Sequence, residues 1–213
     1  MAIAETTERW LKGAGYEYHC FISWPSTVNS YMGQFAGALK ESLTEELAFQ
    51  ITEPRVYLAP RDIAPGTQWE SDLKEALCGS ICMVALCIPV YFHEKHRWCL
   101  LEWASMEELT QRRLGSDKRG AIIPIVLSEM PDRPPALAAL QHIDLSSQKL
   151  RGRSFLRSQD FRSVAVKVVA RIDEIATRIV SRKAKAGCDK FDFPDESRLP
   201  KYDGTRKELP FAQ

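Results

Sequence analysis

The stretch SICMVALCI, residues 80–88, is apolar at almost every position and shows no alternation with polar residues. A strand with one wet face alternates, whereas a strand covered on both faces does not. Helical patterns lie on either side, over residues 68–78 and 98–114, so the run reads as the central strand of a parallel sheet. Extended to residues 81–90, the apolar run is still only about half of a membrane span.

Downstream, AIIPIVL at 121–127 reads as a fourth strand, 138–145 as a fifth and 159–183 as a long final helix. Pro124 has no N–H to give a ladder, so the fourth strand is expected to be irregular or partly at an edge. Upstream of the helix at 68–78 lie a loop of turn formers, Pro60-Arg61-Asp62-Ile63-Ala64-Pro65-Gly66, and a short strand at 55–59. Residues 28–50 carry Tyr31, Phe35, Leu39, Leu43 and Leu47 at intervals of four, a helical stripe. YEYHCFISW at 16–24 is an aromatic and β-branched run that stops at Pro25, a first strand. Strands alternating with helices imply an open, mostly parallel α/β sheet with right-handed crossovers.

The 213 residues, 45% hydrophobic and 27% charged, suit one globular domain with modest extensions. The division expected is an N-terminal extension at 1–15, the domain at 16–186 and a tail or wrapping extension at 187–213, with a flexible tail favoured by its three prolines and many charges. A net charge of +1 gives no global field for nucleic acid or an anionic membrane. The six cysteines mostly sit inside apolar runs, which suits reduced, buried thiols and a cytoplasmic protein. The first ten residues lack a secretory pattern, and no membrane span is expected.

Three segments in order resemble one family. The first strand ends in Phe21-Ile22-Ser23-Trp24, the loop after the second carries Arg61-Asp62-x-x-Pro65-Gly66, and the helix after the central strand opens with Trp98-Cys99-x-x-Glu102. These are similar to the strand-A box, the BB loop and the start of helix αC of TIR (Toll/interleukin-1 receptor) domains, here of the stand-alone bacterial type. The resemblance implies a flavodoxin-like sheet of five strands in order 2-1-3-4-5 with helices on both faces. One departure is that many members carry an acidic residue shortly after strand A, where this chain has Pro25-Ser26-Thr27-Val28.

Glu102 is oddly placed on its own helix. With Trp98 at zero and about 100° per residue, Glu102 falls at about 40°, between Leu109 at about 20° and Met106 at about 80°. A carboxylate in an apolar face needs a partner, a raised pKa or a function, since an unpaired buried charge is costly. Helix geometry alone does not choose between pairing with a donor such as Arg61 and a catalytic role. Family members that cleave NAD use the glutamate of this box catalytically, and the resemblance carries that role to Glu102.

One glutamate is chemically sufficient for that reaction. Nicotinamide in NAD is already a cationic pyridinium and leaves as a neutral base without an acid, unlike the leaving group of an ordinary glycoside. The remaining barrier is positive charge on the ribose, which a preorganised carboxylate stabilises. NAD is thus expected as a substrate, with no cofactor and no metal. Substrate contacts are expected from Phe21, Ser23, Trp24, Trp98, Cys99 and Arg61, although core packing is the favoured reading of Phe21, a helix anchor an equal reading of Trp98 and a solvated loop residue the default for Arg61.

Other constellations are weaker. His93-x-x-His96-x-x-Cys99 has ligand-type spacing but sits after Pro89 in a loop-like stretch and lacks a fourth ligand. Phosphate-binding glycine motifs are absent, and the end of the first strand lacks the acids of a phosphoryl-accepting receiver. The expectation is an NAD glycohydrolase or cyclase in immune or anti-phage signalling. Its partners would be NAD, copies of itself through Arg61, Asp62, Pro65 and Gly66, and a separate sensor or effector protein. The rival is a non-enzymatic TIR scaffold that works through assembly alone.

Overall fold

The computed structural model describes residues 5–26, 30–59, 62, 68–115, 120–195, 197 and 199. Its centre is a five-stranded, all-parallel sheet in the order β2-β1-β3-β4-β5, formed by Cys20–Ser23 (β1), Val56–Leu58 (β2), Met83–Cys87 (β3), Ile122–Val126 (β4) and Ile143–Asp144 (β5). Every residue of β1 to β4 is buried, which explains the absence of alternation in their sequences. Phe21 pairs with Met83 and Ser23 with Ala85, so β1 stops opposite Ala85 while β3 runs on to Cys87.

The helices are Glu5–Gly13 (α1), Ser30–Ala48 (α2), Trp69–Cys78 (α3), Arg97–Leu114 (α4), Pro135–Ala138 (α5), Gly152–Phe155 (α6) and Gln159–Ser181 (α7). Right-handed crossovers send α2 leftward from β1 to β2, but α3 and α4 rightward from β2 to β3 and β4, so they cover opposite faces. On one face α2 packs against α7, with Phe35 edge-on to Phe161; on the other α3 packs against α4. The stripe Phe35, Leu39, Leu43 and Leu47 is buried, as its spacing of four requires.

Pro124 lies in a regular strand, opposite Ala85 of β3. Leu127 donates to Cys87 O and Leu145 donates to Val126 O, so odd positions of β4 bond toward β3 and even positions toward β5. Pro124 therefore turns its missing donor toward β5, which pairs only with Ile125 and Val126. At Pro124 the strand is an edge, although β4 is internal in the order.

Several expectations are corrected. Of the fifth strand expected over 138–145 only Ile143–Asp144 forms, because Pro135 at a helix N-terminus starts a turn of helix in its good formers, α5. The first strand is shorter than 16–24; an isolated bridge joins Tyr18 to Ser80 ahead of it. Cys78 and Cys188 are not reduced thiols but a disulfide, with Cα atoms 5.6 Å apart, while Cys20, Cys82, Cys87 and Cys99 are free and buried. Residues 188–193 lie against the domain, with Phe191 buried and Phe193 edge-on to Trp98, while 196, 198 and 200–213 of the extension expected at 187–213 lie outside the described residues. No helix among the described residues is long and apolar enough to cross a membrane.

Arg113 organises the junction before that segment. Buried at the end of α4, it donates from Nη1 to Ser80 O at 2.9 Å and from Nη2 to Cys78 O and Ala186 O, and it lies over the Tyr16 ring. Carbonyl dipoles and an aromatic face thus replace a counter-ion for the buried cation.

Candidate functional site

The strand order reverses direction between β1 and β3, and ligands of open α/β sheets bind beyond the carboxyl ends of strands at such a point. β1 ends at Ser23 and β3 at Cys87. From β3 the chain makes two 3-10 turns, Pro89–Phe92 and Glu94–His96, and enters α4 at Arg97. This route lays the first turns of α4 across the crevice and delivers Glu102 to it.

Glu102 is only 4% exposed, and its Oε2 accepts a hydrogen bond from the Ser23 hydroxyl. Ser23 Oγ is also 2.6 Å from the Tyr91 hydroxyl. With the Ser23 proton committed to the carboxylate, Tyr91 donates to Ser23, giving a buried relay Tyr91 to Ser23 to Glu102. Burial pushes the Glu102 carboxyl up to about 8, against the smaller opposing effect of the Ser23 hydrogen bond. Desolvation likewise raises the Cys99 thiol, with the Glu102 charge adding to it.

A cavity of about 160 Å³ opens onto Glu102 and is lined by Trp24, Trp69, Trp98, Cys99 and His96 among others. Trp24 is fixed at both ends. Its Nε1 donates to Ala59 O at 2.5 Å, and the far edge of its ring approaches Gly33 of α2, where an added Cβ would lie 3.3 Å from Cη2. Trp69, at the start of α3, meets Trp98 edge to face with ring centroids 4.3 Å apart. The mouth carries Lys95 and His96; partial burial, and secondarily His93, holds His96 below its usual pKa.

Of the residues singled out in the sequence, Ser23, Trp24, Trp98, Cys99 and Glu102 come together here. Phe21 does not: it is fully buried and stacks on Tyr57 at 5.3 Å, in the core. Asp62 accepts hydrogen bonds from Lys40 Nζ at 2.6 and 2.7 Å and from Leu58 N at 2.8 Å, closing the start of the loop after β2. Arg61, Pro65 and Gly66 lie outside the described residues. Sequence reasoning missed Tyr91 and Trp69. The signal for Tyr91 was an aromatic pair, Tyr91-Phe92, placed directly after the central strand at the crevice.

A larger cavity of about 610 Å³ lies along the open part of β4, between Pro124, His142 and Arg171. Arg171 there is bonded to Gly120 O and paired with Glu174, and the lining holds no buried unpaired acid or base. We therefore place the site at the smaller, chemically convergent cavity.

Fold and site together define a doubly wound α/β domain with a desolvated carboxylate at its switch point. A model of the TIR domain matches residues 21–157, more than half of the chain, and the chain belongs to the TIR domain family. A search of curated proteins finds no match to it.

Proposed function

We propose that this TIR domain, residues 16–186 with flanking segments on either side, cleaves the bond between nicotinamide and ribose in NAD. The observation that carries the reading is Glu102 itself: a carboxyl group buried at the switch point, oriented by Ser23 and facing an aromatic cavity. A structural carboxylate at this depth would be expected to have a cationic partner. Among the described residues, Glu102 is instead hydrogen-bonded by the neutral hydroxyl of Ser23.

The chemistry follows from charge. A cationic pyridinium entering the cavity favours the ionised form of Glu102, whose proton passes to solvent water. The bond from C1′ to the nicotinamide nitrogen then breaks with its electron pair going to nitrogen, and the carboxylate faces the positive charge left on the ribose. Water adding at C1′ and losing a proton gives ADP-ribose; an adenine nitrogen of the same molecule gives a cyclic product. A cavity of about 160 Å³ is too small for a whole NAD molecule, so in this reading only the nicotinamide end enters it. The adenosine end extends past Lys95 and His96, where the BB loop of a second copy would complete the site. A role in immune signalling, with a separate sensor or effector protein, belongs to the same reading.

The test is nicotinamide release from NAD by the purified protein at low and high concentration, beside Glu102→Ala. Release by the wild type and none by a folded variant is the expected result. Absence of release from both under assembling conditions would favour the scaffold instead, and equal release from both would exclude Glu102.

A further inference from the structure

The segment after Gly187 runs along α3 against the direction of that helix. It is fastened to the C-terminal end of α3 by Cys78–Cys188, continues through the buried Phe191, passes Lys74 at Asp192 with N and O 3.6 Å apart, and brings Phe193 to the edge of Trp98 with ring centroids 5.9 Å apart. Lys190 O, on the way, accepts from Arg112 of α4 at 3.3 Å. Both helices that contribute tryptophans to the Glu102 cavity are thus bridged by one strap, which brings Phe193 to Trp98.

The contacts differ greatly in strength. The Lys74 to Asp192 pair is exposed on the Asp192 side and contributes little. The disulfide fixes the strap covalently, and the burial of Phe191 and the Phe193 to Trp98 contact fix its path. Trp98 itself has three neighbours: Trp69 at 4.3 Å, Phe193 at 5.9 Å and the Arg97 guanidinium 5.5 Å from its ring centroid. Without Phe193, Trp98 loses one of its ring contacts, and its angle to Trp69 is less firmly held.

We propose that Phe193 is a positioning residue of the cavity: anchored through Cys188, it holds Trp98 against Trp69 so that the aromatic wall is preformed for a planar pyridinium base. This rests on the NAD-cleaving reading given above. Phe193 does not line the Glu102 cavity and acts only through Trp98. Preorganisation of this kind affects binding of the base and leaves the bond-breaking step alone.

The experiment compares wild type, Phe193→Ala, Phe193→Tyr and Cys188→Ser, all full length, by initial rates of NAD cleavage and by inhibition with free nicotinamide. For Phe193→Ala, KM for NAD and Ki for nicotinamide are expected to rise together, by roughly three- to tenfold, the equivalent of one aromatic pair, with kcat within about twofold. Phe193→Tyr is expected to restore both constants, and Cys188→Ser to reproduce the loss in part. Unchanged KM and Ki in Phe193→Ala, or a fall in kcat alone, would overturn the proposal while leaving the NAD-cleaving reading intact. Should Phe193→Ala be unfolded at the assay temperature, Phe193→Leu takes its place under the same criteria. A wild type that neither cleaves NAD nor binds nicotinamide would remove the functional reading, and this proposal with it.

Discussion

Ser23 and Glu102, 79 residues apart in the chain, meet through a buried hydrogen bond in which a hydroxyl at the end of β1 donates to a carboxylate on α4. The hydroxyl favours the charged form of an acid that burial otherwise holds neutral. Ser23→Ala removes that preference, so the acid limb of the profile of kcat/KM against pH is expected to move upward by about one pH unit, the equivalent of one hydrogen bond to a charged group. Tyr91→Phe leaves Ser23 in place but removes the donor behind it, and a smaller upward movement is expected. An unmoved limb in both variants would mean that Glu102 does not set it.

The same burial makes a prediction about the fold. A carboxyl group raised from 4.5 to about 8 on folding contributes no penalty below pH 4.5, where both states hold the proton. As pH rises toward 8 the unfolded state loses its proton while the folded state keeps it, so stability falls across that window. Glu102→Gln lacks this titration. Its melting temperature is therefore expected to gain on the wild type between pH 5 and pH 8.5, and a gap that stays constant or narrows would contradict the burial argument.

Trp24 offers a steric test. Its ring lies so close to Gly33 that a methyl group there would sit 3.3 Å from Cη2, while the indole nitrogen is bonded to Ala59 O on the other side. Gly33→Ala gains helix propensity, about 0.5–1 kcal/mol, and presses on a ring with little room to give. Gly33→Val adds bulk that Trp24 must yield to. In Gly33→Val the near-ultraviolet circular dichroism from tryptophan is expected to change and KM for NAD to rise, with kcat less affected. Identical spectra and KM would show that the ring has space on its far side.

How far the sequence carries depends on the range of the interaction. The central strand was legible because burial on both faces writes itself locally into residues 80–88, and Glu102 because a helix angle places it beside Leu109 and Met106, both buried. The single-face picture of α4 was incomplete: Trp103, on a different side, is fully buried because Tyr91 and Phe92 from the preceding 3-10 turn pack against it. A turn that wraps a helix leaves no periodic mark. The strap was illegible for a related reason, since its polar, proline-containing composition says nothing of the few aromatics that dock, and a cysteine pairing cannot be deduced from spacing alone.

That pairing has its own consequence. Cys78 and Cys188 close a loop with a sequence separation of 110 residues, and a long loop has much conformational entropy to lose when the unfolded chain is crosslinked. Removing the bond by Cys188→Ser is expected to cost about 2–5 kcal/mol in denaturant unfolding. A non-reducing digest of the wild type should contain a crosslinked peptide holding both cysteines. The remaining four thiols are buried and should resist alkylation until the protein unfolds. If all six cysteines are alkylated on unfolding without a reductant, no disulfide fastens the strap, and the docking of residues 188–193 must be carried by the burial of Phe191, the Phe193 to Trp98 contact and the polar contacts of Lys190 and Asp192. The unfolding free energies of Cys188→Ser and Phe191→Ala would then separate those contributions, because only the second would still destabilise the protein.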